Sequence, residues 1–214
     1  MDVEQVVAWL RRLINLDFRV FEEVRTNPTA TIPGVVVASI AILLAGLGGW
    51  LWWLMNDYGY SSDVLLHSAV LGSVIAIVLW GVWLVIVYIM LTQIFRQRAY
   101  LEQLLRVMGL AASPMALMLL MFIPGISFGI GVLSLGLTFG LTTIAIKTVT
   151  SADQAQVLAA NAAGFLVWAV VLTLLSASRG ASIEPHAPGV FLYNTIYTIT
   201  DDLLTFEPAI DLPQ

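Results

Sequence analysis

The chain has no cysteine and very little charge. The absence of cysteine in 214 residues excludes disulfide frameworks, thiolate metal sites and cysteine nucleophiles together. Charged residues fill 11% of positions and hydrophobic ones 59%, whereas soluble domains carry about 25% charge. Mean hydropathy is +0.92, the composition of a membrane protein. A spanning helix takes about 20 apolar residues, so the chain has room for roughly five or six spans and no sizeable extramembrane domain. Histidine is scarce too: His67 and His186 are the only two. A metal site would have to borrow carboxylates such as Asp57 or Asp63, and no ligand spacing supports one. The start, Met1-Asp2-Val3-Glu4-Gln5, lacks the basic flank and apolar core of a secretory signal, so the first span is expected to direct insertion.

Five apolar segments are present, at residues 34–55, 64–95, 104–122, 126–146 and 156–176, separated by short polar or Pro/Gly breaks. The fold class that follows is all-α: a polytopic membrane helical bundle of five transmembrane helices with amphipathic N- and C-terminal segments. Residues 1–33 form an interfacial segment, 34–177 the bundle and 178–214 an acidic tail. The second segment would be about 48 Å long at 1.5 Å per residue, longer than a hydrocarbon core of about 30 Å. Its start, through His67 and Ser68, is therefore expected in the interface or broken near Gly72. In the N-terminal segment Val3, Val6, Val7, Leu10, Leu13 and Ile14 recur at helical spacing, which predicts a helix lying on the membrane surface. Asp17 is placed to cap a second short helix carrying Phe18, Phe21 and Val24, before Asn27-Pro28 and Pro33 break the chain. Beyond the last span, Leu192, Ile196, Ile199, Leu203 and Phe206 keep a similar stripe, too polar to span.

Basic residues near spans are retained in the cytoplasm. With the N-terminus inside, Arg11, Arg12, Arg19, Arg25, Arg96, Arg98, Arg106 and Lys147 all fall inside and only Arg179 falls outside, alongside seven acids. This predicts a multi-pass protein of the plasma or inner membrane, its N-terminus cytoplasmic and its C-terminus extracytoplasmic. The acidic balance, with pI near 4.8, gives no sign of nucleic-acid binding. Trp50, Trp52 and Trp53 fall at the outer end of the first span, as an aromatic belt would. Trp80 and Trp83 fall mid-membrane, where packing or lipid contact competes with a pigment or quinone contact.

No Asp, Glu, Lys or Arg lies near the middle of a predicted span, which weighs against proton- or sodium-coupled transport. Asn161, Ser73, Thr138, Thr142 and Thr143 suit either a polar path or hydrogen bonds between helices. Gly125-Ile126-Ser127-Phe128-Gly129 spells G-x-S-x-G. A nucleophile elbow needs a strand before the serine, and this one lies between two membrane helices. Small residues every four positions let helices approach closely in lipid. Ala41, Ala45 and Gly49 mark the first span; Gly109 and Ser113 the third; Gly125, Gly129, Gly136 and Gly140 the fourth; Ala155, Ala159 and Ala163 the fifth. Pro114 should kink the third span.

Three stretches carry a family resemblance: Asp17-Phe-Arg-Val-Phe21-Glu-Glu-Val leading to Asn27-Pro28, then Arg106-Val-Met-Gly109-Leu-Ala-Ala-Ser-Pro114, and Ile123-Pro124-Gly125. With five spans around them, the chain resembles the prokaryotic branch of the YIP family. It departs from the family's frequent Asp-Pro in having Phe18 after Asp17, and it lacks the longer cytoplasmic domain of the relatives that bind prenylated GTPases. The resemblance implies a non-enzymatic membrane protein that organises or binds other membrane components. The expected function is that of an accessory or scaffold subunit in a larger membrane assembly, an energy-transducing one among the candidates. Its expected partners are membrane lipids and other integral membrane subunits, with no cofactor. The competing reading is a channel or carrier for a neutral solute or lipid that uses Asn161 and the threonines of span four.

Overall fold

A computed structural model describes residues 3–55, 65–123 and 125–177. The predicted tail helix near residues 189–206, together with Asp57, Asp63, Arg179 and His186, lies outside these residues. Among the described residues there are seven α-helices and no strand: α1 (Val3–Ile14), α2 (Val20–Thr26), α3 (Thr31–Met55), α4 (Gly72–Ile89), α5 (Leu101–Ala111), α6 (Ser127–Val149) and α7 (Gln154–Ala177).

Five stretches are long and apolar enough to cross a membrane: Pro28–Trp52, Ala69–Ile94, Leu101–Phe122, Ser127–Val149 and Gln154–Leu172. All five are helical, as a lipid surround demands of a backbone that must satisfy its own hydrogen bonds. The helix of the first span opens a turn before Gly34, at Thr31, because Pro28 and Pro33 sit where missing N–H groups cost little. The long second segment changes helix type at both ends: a π-helical turn at Leu65–Leu71 precedes α4, and another at Met90–Ile94 follows it.

In the third span Pro114 changes the helix instead of merely kinking it. After α5 the chain continues as a 3-10 helix, Ser113–Phe122. The proline cannot donate to the preceding turn, and the Pro114 carbonyl accepts a hydrogen bond from Ser134 Oγ on α6 at 2.8 Å. The spans close into a ring. The third packs between α3 and α6, and α4 pairs with α7.

At one end of the ring lie α1, α2 and the turns at 95–100 and 150–153. Arg106 Nη1 donates to the Arg25 carbonyl at 3.1 Å, Arg25 Nη1 to the Thr148 carbonyl at 2.8 Å, and Ser151 Oγ to Gln97 Oε1 at 3.1 Å. Every described Lys and Arg is at this end.

Candidate functional site: the clamped foot and its flanking clefts

Helix α1 turns Val6, Trp9 and Leu13 onto the bundle, where they join Val20, Phe21 and Val24 of α2 in the main core. The stripe read from the sequence is thus split: Val3, Val7 and Ile14 remain 60%, 57% and 80% exposed, Val3 and Ile14 at the edges of the two clefts that flank the helix. Trp9, absent from that stripe, is the anchor. Its indole Nε1 donates to Glu23 Oε1 at 2.7 Å, while Arg12 bridges Asp17 at 2.8 Å and Glu23 at 2.6 Å. Asp17 does little capping. Its carboxylate accepts from the Arg19 N–H at 3.2 Å but is otherwise drawn to Arg12, and α2 begins at Val20 without a side-chain cap. Leu16 makes the sharp turn between the two helices with φ of 59°, a conformation uncommon for a side-chain-bearing residue.

These contacts hold the acids of the clamp ionised. The Arg12 hydrogen bond pulls the Asp17 carboxyl below its ordinary value, and the Trp9 indole does the same for Glu23, assisted by Arg12. A carboxylate whose pKa is depressed on folding contributes stability above its unfolded pKa and loses it as pH falls through the folded one. The clamp should therefore be intact from neutrality down to the ordinary carboxylate range near pH 4 and open below it. Because the chain has no cysteine, a spin label on Ile14→Cys reports this directly. Its mobility should stay flat from pH 7 to 5 and rise in stronger acid, and a flat trace throughout would show that the ion pairs do not hold the foot.

Below the foot, Arg106 sits at the start of span three, only 7% exposed. It donates from Nε to Thr31 Oγ1 at 2.7 Å and pairs with Glu102 at 3.0 Å. Two apolar clefts flank α1. One, about 540 Å³, lies toward α6 and is lined by Leu10, Leu13, Ser113, Pro114 and Gly140 among others. The other, about 280 Å³, lies toward α3.

Inside the membrane, Asn161 of α7 is fully buried. Its Nδ2 donates to Thr142 Oγ1 (2.9 Å), Thr143 Oγ1 (2.8 Å) and the Phe139 carbonyl (3.1 Å), and its Oδ1 accepts from Trp83 Nε1 at 3.0 Å. Trp83 packs edge-on against Phe165, ring centroids 5.3 Å apart, and near Trp168 at 6.3 Å. Trp80 is buried as well. The threonines of α6 and Asn161 therefore form one interhelical knot. Ser73 is apart from it, donating to the Ala69 carbonyl at 2.5 Å. Ser127 opens α6 behind Gly125, whose φ of +84° makes the turn.

The small residues divide sharply. Gly109 lies against the backbone of Gly34, Gly48 against the backbone of Met118, and Gly164 against Trp83. Ala45 is buried with Trp52, Met118 and Met121, so Trp52 points inward and not into an aromatic belt. Gly49 is buried, Ala163 partly so, and Ala159 is exposed. A Cβ built on Gly125, Gly129, Gly136 or Gly140 meets nothing within 4 Å, so these glycines leave α6 and the turn before it open where others close an interface.

The architecture is that of a multi-pass helical membrane protein whose bundle carries an interfacial foot. Residues 17–177 match the family model described as Yip1 domain, well over half of the chain. The chain belongs to the Yip1 domain family. The match begins at Asp17, so α1 lies outside it. Neither a comparison with curated proteins nor one with solved structures gave a match.

Proposed function

We propose that the protein is a non-enzymatic accessory or scaffold subunit of a larger membrane assembly, seated in the plasma or inner membrane with its foot on the cytoplasmic side. The observation that carries this reading is the foot itself. Trp9, Arg12 and Glu23 fix α1 in one orientation, and its outward face then presents Val3, Val7 and Ile14. A rigid apolar ridge of this kind is what a partner subunit can dock on without ordering it first. The gathering of basic residues at that end supports the cytoplasmic placement.

The carrier reading draws less support. Asn161, the polar residue best placed to line a path, has its amide and carbonyl engaged by Trp83, Phe139 and the two threonines, and a group already satisfied gains little by binding solute.

Gentle detergent extraction from native membranes, followed by mass spectrometry, tests the proposal. A stoichiometric partner should accompany the 23.3 kDa chain, and Val7→Asp should release it while leaving the chain folded. Recovery of the lone chain alone, in every mild detergent tried, would overturn the scaffold reading.

A further inference from the structure

The larger cleft beside α1 has the position, lining and surrounding charge of a lipid site, and we propose that it holds one acyl chain of an anionic glycerophospholipid, with α1 as its lid. At about 540 Å³ it falls within the range of ligand pockets, roughly 300–1,000 Å³. Its walls come from the foot, the 3-10 segment and α6, and Ser113 carries the one polar side chain among its lining residues. Leu117, Leu137 and Ile144 on its rim are 37%, 43% and 36% exposed on a surface that faces hydrocarbon in a five-span bundle. Apolar cavities of this kind do not hold water well, and lipid is the fluid outside.

Two further observations choose the occupant. The cleft runs inward from the interface: along α6, Ile144 is five residues before the end at Val149 and Leu137 is twelve, about 8 and 18 Å at 1.5 Å per residue. The acyl methylenes below a lipid's ester groups occupy that range of depth.

The second observation is charge. Arg12, Arg25 and Arg106 are all neutralised by carboxylates. Arg11 on α1 and Arg19 just beyond Phe18 are exposed and have no ion pair among the described residues, although they flank the segments that roof the cleft. Unneutralised cations at the membrane surface attract lipid phosphates. The Pro114 break explains why the space exists. The narrower 3-10 segment leaves the side of span three unfilled beneath α1, and Gly140 contributes no side chain to fill it.

The test uses the purified full-length chain and two probes, phosphatidylglycerol and phosphatidylcholine, with bound lipid counted by native mass spectrometry. Because it needs no partner, its failure is separate from failure of the scaffold reading. The wild-type chain should retain one phosphatidylglycerol in preference to phosphatidylcholine. Gly140→Phe, which enters open space within the cleft, should lower retention by about tenfold or more, whereas Gly136→Phe, equally open but outside the cleft, should not. Arg11→Gln with Arg19→Gln should cut the preference for the anionic lipid by about tenfold while the chain still binds. Independently of any substitution, phosphatidylglycerol carrying a diazirine on its acyl chain should label residues 113–117 and 137–144. No retained lipid, equal retention by Gly140→Phe, an unchanged preference in the arginine variant, or label spread evenly over the spans would each overturn the proposal.

Discussion

Replacing Gly109 with alanine should destabilise the bundle by about 3 kcal/mol. A Cβ at Gly109 would fall 2.5 Å from the Gly34 carbonyl carbon and 2.9 Å from its Cα. Both atoms are backbone, so no side chain can swing away, and one helix must move. The motion is opposed a turn earlier on α5, where the buried Arg106 holds Thr31 at 2.7 Å and the Arg25 carbonyl at 3.1 Å. Sliding α3 outward would strip a buried guanidinium of those acceptors, leaving a desolvated charge incompletely paired. Gly34→Ala should be milder, because its Cβ would meet Arg106 and Leu105 backbone atoms at 3.0–3.3 Å, distances that a shift of a few tenths of an ångström relieves. Gly136→Ala, with open space around it, should stay within about 0.5 kcal/mol of wild type. Unfolding by SDS in mixed micelles, followed by circular dichroism, measures all three on one scale. If Gly109→Ala unfolds at the same SDS fraction as Gly136→Ala, the two helices do not cross at these glycines.

That ordering also shows how far the sequence could be read. Length and hydropathy suffice for five spans because a bilayer imposes its thickness on each segment independently, whatever the neighbours do. The Yip1-like stretches around Asp17, Arg106 and Pro124 were legible for a similar reason, being local. Interface registers are not local. Reading small residues every four positions picks Ala41, Ala45 and Gly49 in span one and Ala155, Ala159 and Ala163 in span five. Ala41 and Ala45 are buried, and close backbone approaches fall at Gly48, against Met118, and Gly164, against Trp83. Each is one residue along from a member of the stripe, about 100° around the helix, and only the position of the partner backbone decides between them. Trp9 was missed for a related reason: its value lies in Glu23, fourteen positions away, brought near by a turn whose key residue, Leu16, has a backbone conformation that its side chain does not advertise. The clefts depend on a change of helix type after Pro114, where a kink was the natural expectation.

The second large effect belongs to Asn161. Its replacement by leucine, close in size, should cost about 1–3 kcal/mol, the range for stranding a buried polar group, and the geometry indicates which group is stranded. Thr142 keeps its hydrogen bond to the Thr138 carbonyl at 2.8 Å and Thr143 keeps its bond to the Phe139 carbonyl at 2.8 Å, so neither hydroxyl needs the amide. Trp83 has no such reserve. Its indole N–H donates to Asn161 Oδ1, and the ring is wedged against Gly164 and between Phe165 and Trp168, too confined to seek another acceptor. Trp83→Phe removes that donor along with part of a packed ring and should cost about 2–4 kcal/mol alone. In the double variant the stranded donor is gone, so the two losses should fall short of adding by roughly 0.6–1.7 kcal/mol, the span measured for hydrogen bonds between membrane helices. Strict additivity would mean that the Trp83–Asn161 bond contributes nothing to the pairing of α4 with α7. The same variant separates the two functional readings. A scaffold carrying Asn161→Leu keeps its partner at reduced stability, whereas a carrier that used this amide would lose solute flux in vesicles out of proportion to any loss of fold.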